Sequence, residues 1–281
     1  MSGNGPRVVL GRSGVEVSPV GLGASFGIGA REMEQAFERG INYFYWGSVR
    51  TDQFGEGMSA IAQRDRDGMV VVIQTYAREP AKLRTALESG LARLPGIDHA
   101  DFLLLGAWDE PPPEAIMEAA VGCKEAGLAR HLMVSCHRRP TFQKHAANPH
   151  IDAMMVRYNA AQDGAARDVF PHLPEPAPGL VAYTATRWGD LMNAELTPEG
   201  ERTPSAVDCY RFALSSPHVD MCLAGPANGA QLQAALEALE APAMGEDELA
   251  WMRRVGVAVR PNAKKRMAAM AELYKDGIPY E

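Results

Sequence analysis

The stretch MVVVIQTYAREPAKLRTALESGLARLPGIDHADFLLLGAW, residues 69–108, decides the fold. It opens on the strongest strand signal in the chain, MVVVIQTY at 69–76, rich in the β-branched residues that suit a pleated surface. It closes on a second apolar run, DFLLLGAW at 101–108. Between them, residues 81–94 have helical character. Strands that are apolar almost throughout are buried on both faces, which happens in parallel sheets covered by helices.

The same unit repeats in both directions. Upstream, RVVL, GRSG and VEVSPV at 7–20 read as a small hairpin, and VGLG at 20–23 as a short strand. REMEQAFERG at 31–40 is a helix ended by Gly40, INYFY at 41–45 a buried strand, and 53–64 a helix. Downstream, PPPEAIMEAAVGCKEAG at 111–127 is a proline-started helix with a glycine stop. LARHLMVSC at 128–136, IDAMMVRY at 151–158, GLVAYTA at 179–185 and DMCLAG at 220–225 supply further strands. Helical segments at 142–147, 165–169, 205–214 and 230–239 separate or follow them, and PHLPEPAPG at 171–179 is a proline-rich loop inside the fold. Eight core strands over about 250 residues predict an α/β fold, a (β/α)8 TIM barrel with an N-terminal β-hairpin and a C-terminal helical extension. Residues 1–281 then form a single barrel domain, with 246–281 as the extension of one or two helices. An open α/β sheet is the alternative.

Composition narrows the function. Of 281 residues, 46% are hydrophobic and 22% charged, enough for a core and too apolar for disorder. Lys and Arg number 28 against 35 Asp and Glu, so nothing favours a nucleic-acid surface. Arg260, Lys264, Lys265 and Arg266 read as one solvated helix face. Cys123, Cys136, Cys209 and Cys222 are widely spaced and make no CxxC, so no metal is expected and a reduced, cytoplasmic setting is. No run approaches 18 apolar residues, so no membrane span is expected. GLGASFG at 21–27 is a weak match to a dinucleotide loop, and no P-loop is present. Asp52, Glu56, Asp109 and Glu110 lack the spacing of a metal site or a glycosidase pair. The expected partner is a small-molecule ligand or substrate, and the oligomeric state stays open.

In a barrel, functional groups gather beyond the C-terminal ends of the strands. Those loops hold Ser25 and Phe26, then Tyr45, Trp46, Ser48, Val49 and Arg50, then Tyr76, Trp108 and Asp109. Ser135 to Arg138, Arg157 to Asn159, and Tyr183, Thr184, Arg187 and Trp188 follow. For an acidic chain this set is aromatic and basic, which predicts a flat ligand pocket with an anion-binding side. Trp46, Arg50, Trp108 and Arg157 are the candidate substrate contacts. Tyr45, Tyr76 and His137 are the candidate catalytic groups. A tyrosine titrates near about 10 and needs a neighbouring cation to ionise near neutrality, whereas histidine titrates there unaided. Cys136 and His137 are adjacent in sequence and point different ways, which argues against a catalytic Cys–His pair.

Over residues 7–239 the chain resembles the aldo/keto reductase family. The matching blocks are LGRSGVEVSPVGLGASFG at 10–27, AFERGINYF at 36–44, VVIQT at 71–75 and DFLLL at 101–105. EAGLARHLMVS at 125–135, YNA at 158–160, VAYTA at 181–185 and AGPANGAQLQAAL at 224–236 follow in the family's order. The resemblance implies hydride transfer between NADP(H) or NAD(H) and a carbonyl or alcohol. It also implies a hairpin plugging the barrel bottom and an extension shaping its mouth. The family's catalytic Asp, Tyr, Lys and His do not carry over as a set. Their places fall at Tyr45, near Arg50, at Tyr76 and at Gly106. For the cofactor, the resemblance points to Ser135, Tyr183, Gly225, Asn228 and Gln231, with Tyr183 against the nicotinamide. Cys136, Met155 and Ala227 stand where the family has polar or cationic contacts. Three functions stay open: an oxidoreductase with a non-standard proton donor, a non-redox enzyme on a polar small molecule, and a catalytically inactive ligand-binding protein.

Overall fold

Each apolar run pairs with the next, and the last pairs with the first. The computed structural model describes residues 5–24, 27–47 and 50–273, with 262–273 by backbone alone. Ser25, Phe26, Ser48 and Val49, and the side chains of Lys264, Lys265 and Arg266, lie outside the described residues.

The hairpin is short: β1 (Val8–Val9) pairs antiparallel with β2 (Glu16–Val17). The barrel strands are β3 (Val20–Gly23), β4 (Tyr43–Trp46), β5 (Val70–Gln74), β6 (Ala100–Ala107), β7 (Ala129–Ser135), β8 (Ile151–Arg157), β9 (Gly179–Tyr183) and β10 (Met221–Ala224). All neighbours are parallel, and β10 closes on β3 with Cys222 opposite Val20. That closure rules out the open sheet. The crossover helices are α1 (Ala30–Glu38), α2 (Asp52–Asp65), α3 (Pro80–Leu91), α4 (Glu114–Glu125), α5 (Thr141–Ala147), α6 (Ala165–Asp168), α7 (Ala206–Leu214) and α8 (Gly229–Glu240).

Alternation along the strands separates two cores. Phe44, Val71, Ile73, Leu103 and Val134 face the helices, while Tyr43, Val70, Val72, Phe102 and Met133 fill the barrel. At the lower rim one device recurs four times. A side-chain oxygen at or just before β4, β6, β8 and β10 accepts a backbone N–H from the preceding strand or the residue leading into it. The pairs are Ser18 N–H to Asn42 Oδ1 at 2.7 Å, Val71 to Asp101 Oδ2 at 2.8 Å, Leu132 to Asp152 Oδ2 at 2.9 Å and Leu180 to Asp220 Oδ2 at 2.7 Å. These satisfy donors at the buried end of the sheet, where an unpaired N–H is costly.

The hairpin seals that same end. Leu10 and Val17 are fully buried and join the barrel-interior core. The Arg12 guanidinium fastens the turn by donating to the carbonyls of Ala146 and Asn148 at 3.1 and 2.6 Å. Gly179 opens β9 directly under Leu10, and a Cβ there would come within 2.5 Å of the Leu10 side chain. A glycine is therefore required for this approach. The extension is one helix, α9 (Glu246–Leu273), which runs through Pro261. Trp251 donates to the Arg202 carbonyl at 3.1 Å and Arg260 pairs with Asp163 at 2.8 Å, so α9 is bound to the barrel's flank.

Leu10→Ala is expected to destabilise the fold by about 2–5 kcal/mol through the void it leaves. Urea unfolding checks this, with a lowered midpoint and an unchanged slope.

Candidate functional site

Every strand contributes an inward residue near its upper end to the floor of one cavity. Gly23, Tyr45, Gln74 and Leu104 come from β3 to β6, and Ser135, Met155, Tyr183 and Leu223 from β7 to β10. The cavity measures about 580 Å³, within the range of small-molecule sites. Tyr76 and His137 stand above the floor on one side, and Gly225, Ala227 and Gln231 on another. The loop after β9 and α7 complete the wall with Trp188, Met192 and Tyr210. Among the described lining residues there is no Asp, Glu, Lys or Arg.

The polar groups of this wall are neutral and differently engaged. The Tyr45 hydroxyl donates to Gln74 Oε1, and both side chains are buried. The backbone N–H groups of His137 and Arg138 donate to Asp109 Oδ1 at 2.6 and 3.1 Å, which fixes the turn carrying His137. Burial alone would raise the Asp109 carboxyl, but those donors outweigh it and hold the group below its ordinary value. His137 is exposed at the rim yet partly dehydrated by its neighbours. That dehydration, and then Arg157, hold its imidazole below the ordinary value against the pull of Asp109. Cys136 is buried and its thiol is pushed up to about 12, chiefly by burial, so it is no nucleophile. Burial likewise raises Tyr183, partly offset by Arg157.

The loop after β9 is held in an uncommon backbone. Thr184, Arg187 and Trp188 have φ of 58°, 57° and 53°, a region that non-glycine residues rarely enter. Asn159 donates to the Thr184 carbonyl at 2.9 Å, and Arg187 donates to Gln162 Oε1 at 2.8 Å. These bonds hold Trp188 against the cavity.

Seven of the twelve sequence-chosen residues line this one space: Tyr45, Tyr76, Ser135, His137, Tyr183, Gly225 and Gln231. The four chosen as substrate contacts do not. Trp46 is off register by one residue and turns out into the helix layer, where Arg50 and Arg93 lie over its ring at 5.3 and 4.8 Å. Arg50 donates instead to the Gln74 carbonyl. Trp108 follows a register shift in β6, donates to the Leu105 carbonyl at 2.8 Å and lies under Arg78. Arg157 packs against the Tyr183 and Trp188 rings, 5.6 and 5.4 Å from their centres, off the wall itself. The expected anion-binding side is thus not formed by these residues. Asn228 stands back as the cap of α8, its Oδ1 accepting from Gln231 N–H at 3.0 Å. None of residues 246–261 lines the mouth, and the side chains of the rest of the extension lie outside the described residues. Gln74 was missed, although Val70, Val72 and Gln74 share one parity and a polar residue ending such a series marks a wet mouth. Among the described residues no group of three or more His, Cys, Asp or Glu is placed to hold a metal, and no helix is long and apolar enough to cross a membrane.

Gly106 and Tyr76 are fitted to one another at adjacent strand ends. Its φ is 79°, and a Cβ there would meet the Thr75 carbonyl at 2.9 Å and the Tyr76 ring at 3.0 Å. The Tyr76 ring therefore occupies the space a side chain at 106 would need.

No protein-family model matches the chain, and no curated protein matches it either. Among solved structures it is similar to an aldo-keto reductase from Bacillus halodurans. The holo form aligns at 20% identity and TM-score 0.76, and the apo form at 21% and 0.74. Each alignment covers 90% of this chain and 96% of the other. At this identity the likeness shows a shared barrel fold.

Gly106→Ala is expected to cost about 1–3 kcal/mol, from left-handed strain plus the clash with the Tyr76 ring. In a Tyr76→Ala background the cost should fall. Thermal unfolding of the two single variants and the double variant measures that coupling.

Proposed function

We propose that the chain is a divergent oxidoreductase of the aldo/keto reductase type, working on an uncharged carbonyl or alcohol beside NADP(H) or NAD(H). The observation that carries this is a convergence. Ser135, Tyr183, Gly225 and Gln231 come from separate segments and share one cavity with Tyr45, Tyr76 and His137. The barrel likeness to a reductase over 90% of the chain supports the same reading. Its four buried, free cysteines suit a reducing, cytoplasmic setting.

The wall fits the nicotinamide end of such a cofactor best. Tyr183 presents an aromatic ring and Ser135 a hydroxyl, while Gly225 and the start of α8 bring backbone near the nucleotide end. When bound, the nicotinamide supplies or takes the hydride. The chain's own work is to orient the carbonyl and handle one proton at its oxygen. The Tyr45 hydroxyl donates its hydrogen bond to Gln74, and the described wall carries no Asp, Glu, Lys or Arg, the nearest cation to Tyr183 being Arg157 against its ring. His137 is the lining group that titrates nearest neutrality. Its depressed value means the proton-donating form grows only as pH falls below the ordinary imidazole range.

A ligand-binding protein without turnover is the second reading. It is favoured by the uncharged wall and by Gly106, which leaves no room for an imidazole at that strand end.

NADPH and NADH titrations, followed by nicotinamide fluorescence, are expected to show binding that Tyr183→Ala weakens about tenfold. Binding of neither nucleotide ends the proposal. Carbonyl-dependent NADPH oxidation should rise as pH falls below about 6.5, the ordinary imidazole value, and His137→Ala should flatten that limb. Nucleotide binding with no turnover across a panel of aldehydes and ketones selects the second reading.

A further inference from the structure

Gln74 ends the inward series of β5 and is 5% exposed, yet it faces a cavity of about 580 Å³. Its Oε1 accepts the Tyr45 hydroxyl. Its Nε2 has no hydrogen-bond partner among the described residues, and it is not one of the polar atoms sealed away from solvent. When an apolar body fills the cavity and displaces water from this donor, an amide N–H left without an acceptor costs about 1–3 kcal/mol, so an oxygen on the ligand is called for. The surroundings say which kind. Leu104, Met155 and Leu223 form the floor on either side, and Tyr76 and Met192 are large apolar side chains left exposed at the rim. Ser135 adds a hydroxyl, again uncharged. A carboxylate entering here would lose its water with no Lys or Arg on the described wall to replace it, since Arg157 behind the wall is engaged with the Tyr183 and Trp188 rings. A ketone, aldehyde or amide loses far less.

We infer that Gln74 is a specificity-determining donor: its amide holds the oxygen of an uncharged carbonyl compound with a planar apolar body, and the site rejects the matching carboxylate. The Tyr45 hydroxyl is the positioning group, since its bond to Oε1 fixes the amide with Nε2 toward the cavity. The inference rests on the cavity being a small-molecule site, as proposed above, and holds whether or not a hydride moves.

Four probes of one shape test it: acetophenone, benzamide, benzoate and ethylbenzene, titrated into the full-length protein and followed by ligand-observed NMR. Acetophenone and benzamide should bind about tenfold tighter than benzoate. Gln74→Met, which keeps length and removes the polar atoms, should weaken both carbonyl probes by about fivefold to tenfold and leave ethylbenzene unchanged or tighter. Tyr45→Phe should weaken the carbonyl probes by a smaller factor and spare ethylbenzene. Benzoate binding as well as acetophenone overturns the inference, as does failure of acetophenone to bind. An equal loss of ethylbenzene in Gln74→Met overturns it too, because that marks a structural role. Selective carbonyl binding with no NADPH or NADH binding keeps this inference and removes the redox proposal, so the two fail separately.

Discussion

A closed barrel allows each strand one inward series, and everything about the site follows from that parity. Once β10 closes on β3, residues two apart face the interior and those between face the helices. Inward residues near the top of each strand form the cavity floor. Tyr45, Gln74, Ser135 and Tyr183 are functional candidates because they end such series. Trp46, one residue past Tyr45, is thereby a packing residue against α2.

The two ends of the barrel use opposite electrostatics. The lower rim is ionic and paired. Asp101 accepts from Val71 N–H and pairs with Arg66 at 3.0 Å, while Asp152 accepts from Leu132. Burial raises Asp220, whose carboxylate is countered chiefly by the Leu180 N–H. These bonds hold the closure in place. The upper mouth is neutral along its described wall.

The groups at that mouth fit one another as neutral partners. An ionised pair at a half-dry strand end costs several kcal/mol in desolvation unless its partner is well placed. Here Tyr45 and Gln74 form a neutral hydrogen-bonded pair, and Tyr76 lies over Gly106. Each residue suits its neighbour: the phenol at 45 donates to the amide at 74, and the ring at 76 lies where a side chain at 106 would be. The left-handed residues of the β9 loop, held by Asn159 and Gln162, press Trp188 onto the same space. Such strain persists only when surrounding contacts over-determine it, and it gathers at functional sites.

The architecture was legible because strand and helix periodicity is local. VGLG, MVVVIQTY and IDAMMVRY mark β3, β5 and β8 to within a residue or two, and PPPEAIMEAAVGCKEAG marks α4 with its proline start. The loops that bear the site were legible too, since barrel geometry assigns them to strand C-termini. Which side chains enter the cavity was not. Arg50 and Arg157 look like anion ligands in a list, but one reaches a backbone carbonyl and the other packs against two rings. Gln74 looks like strand filler until closure turns it inward beside Tyr45. By itself the sequence determined where strands begin and end, because that depends on neighbours along the chain. Only the tertiary structure decided direction and partnership at the mouth, because those depend on register around a ring of eight strands.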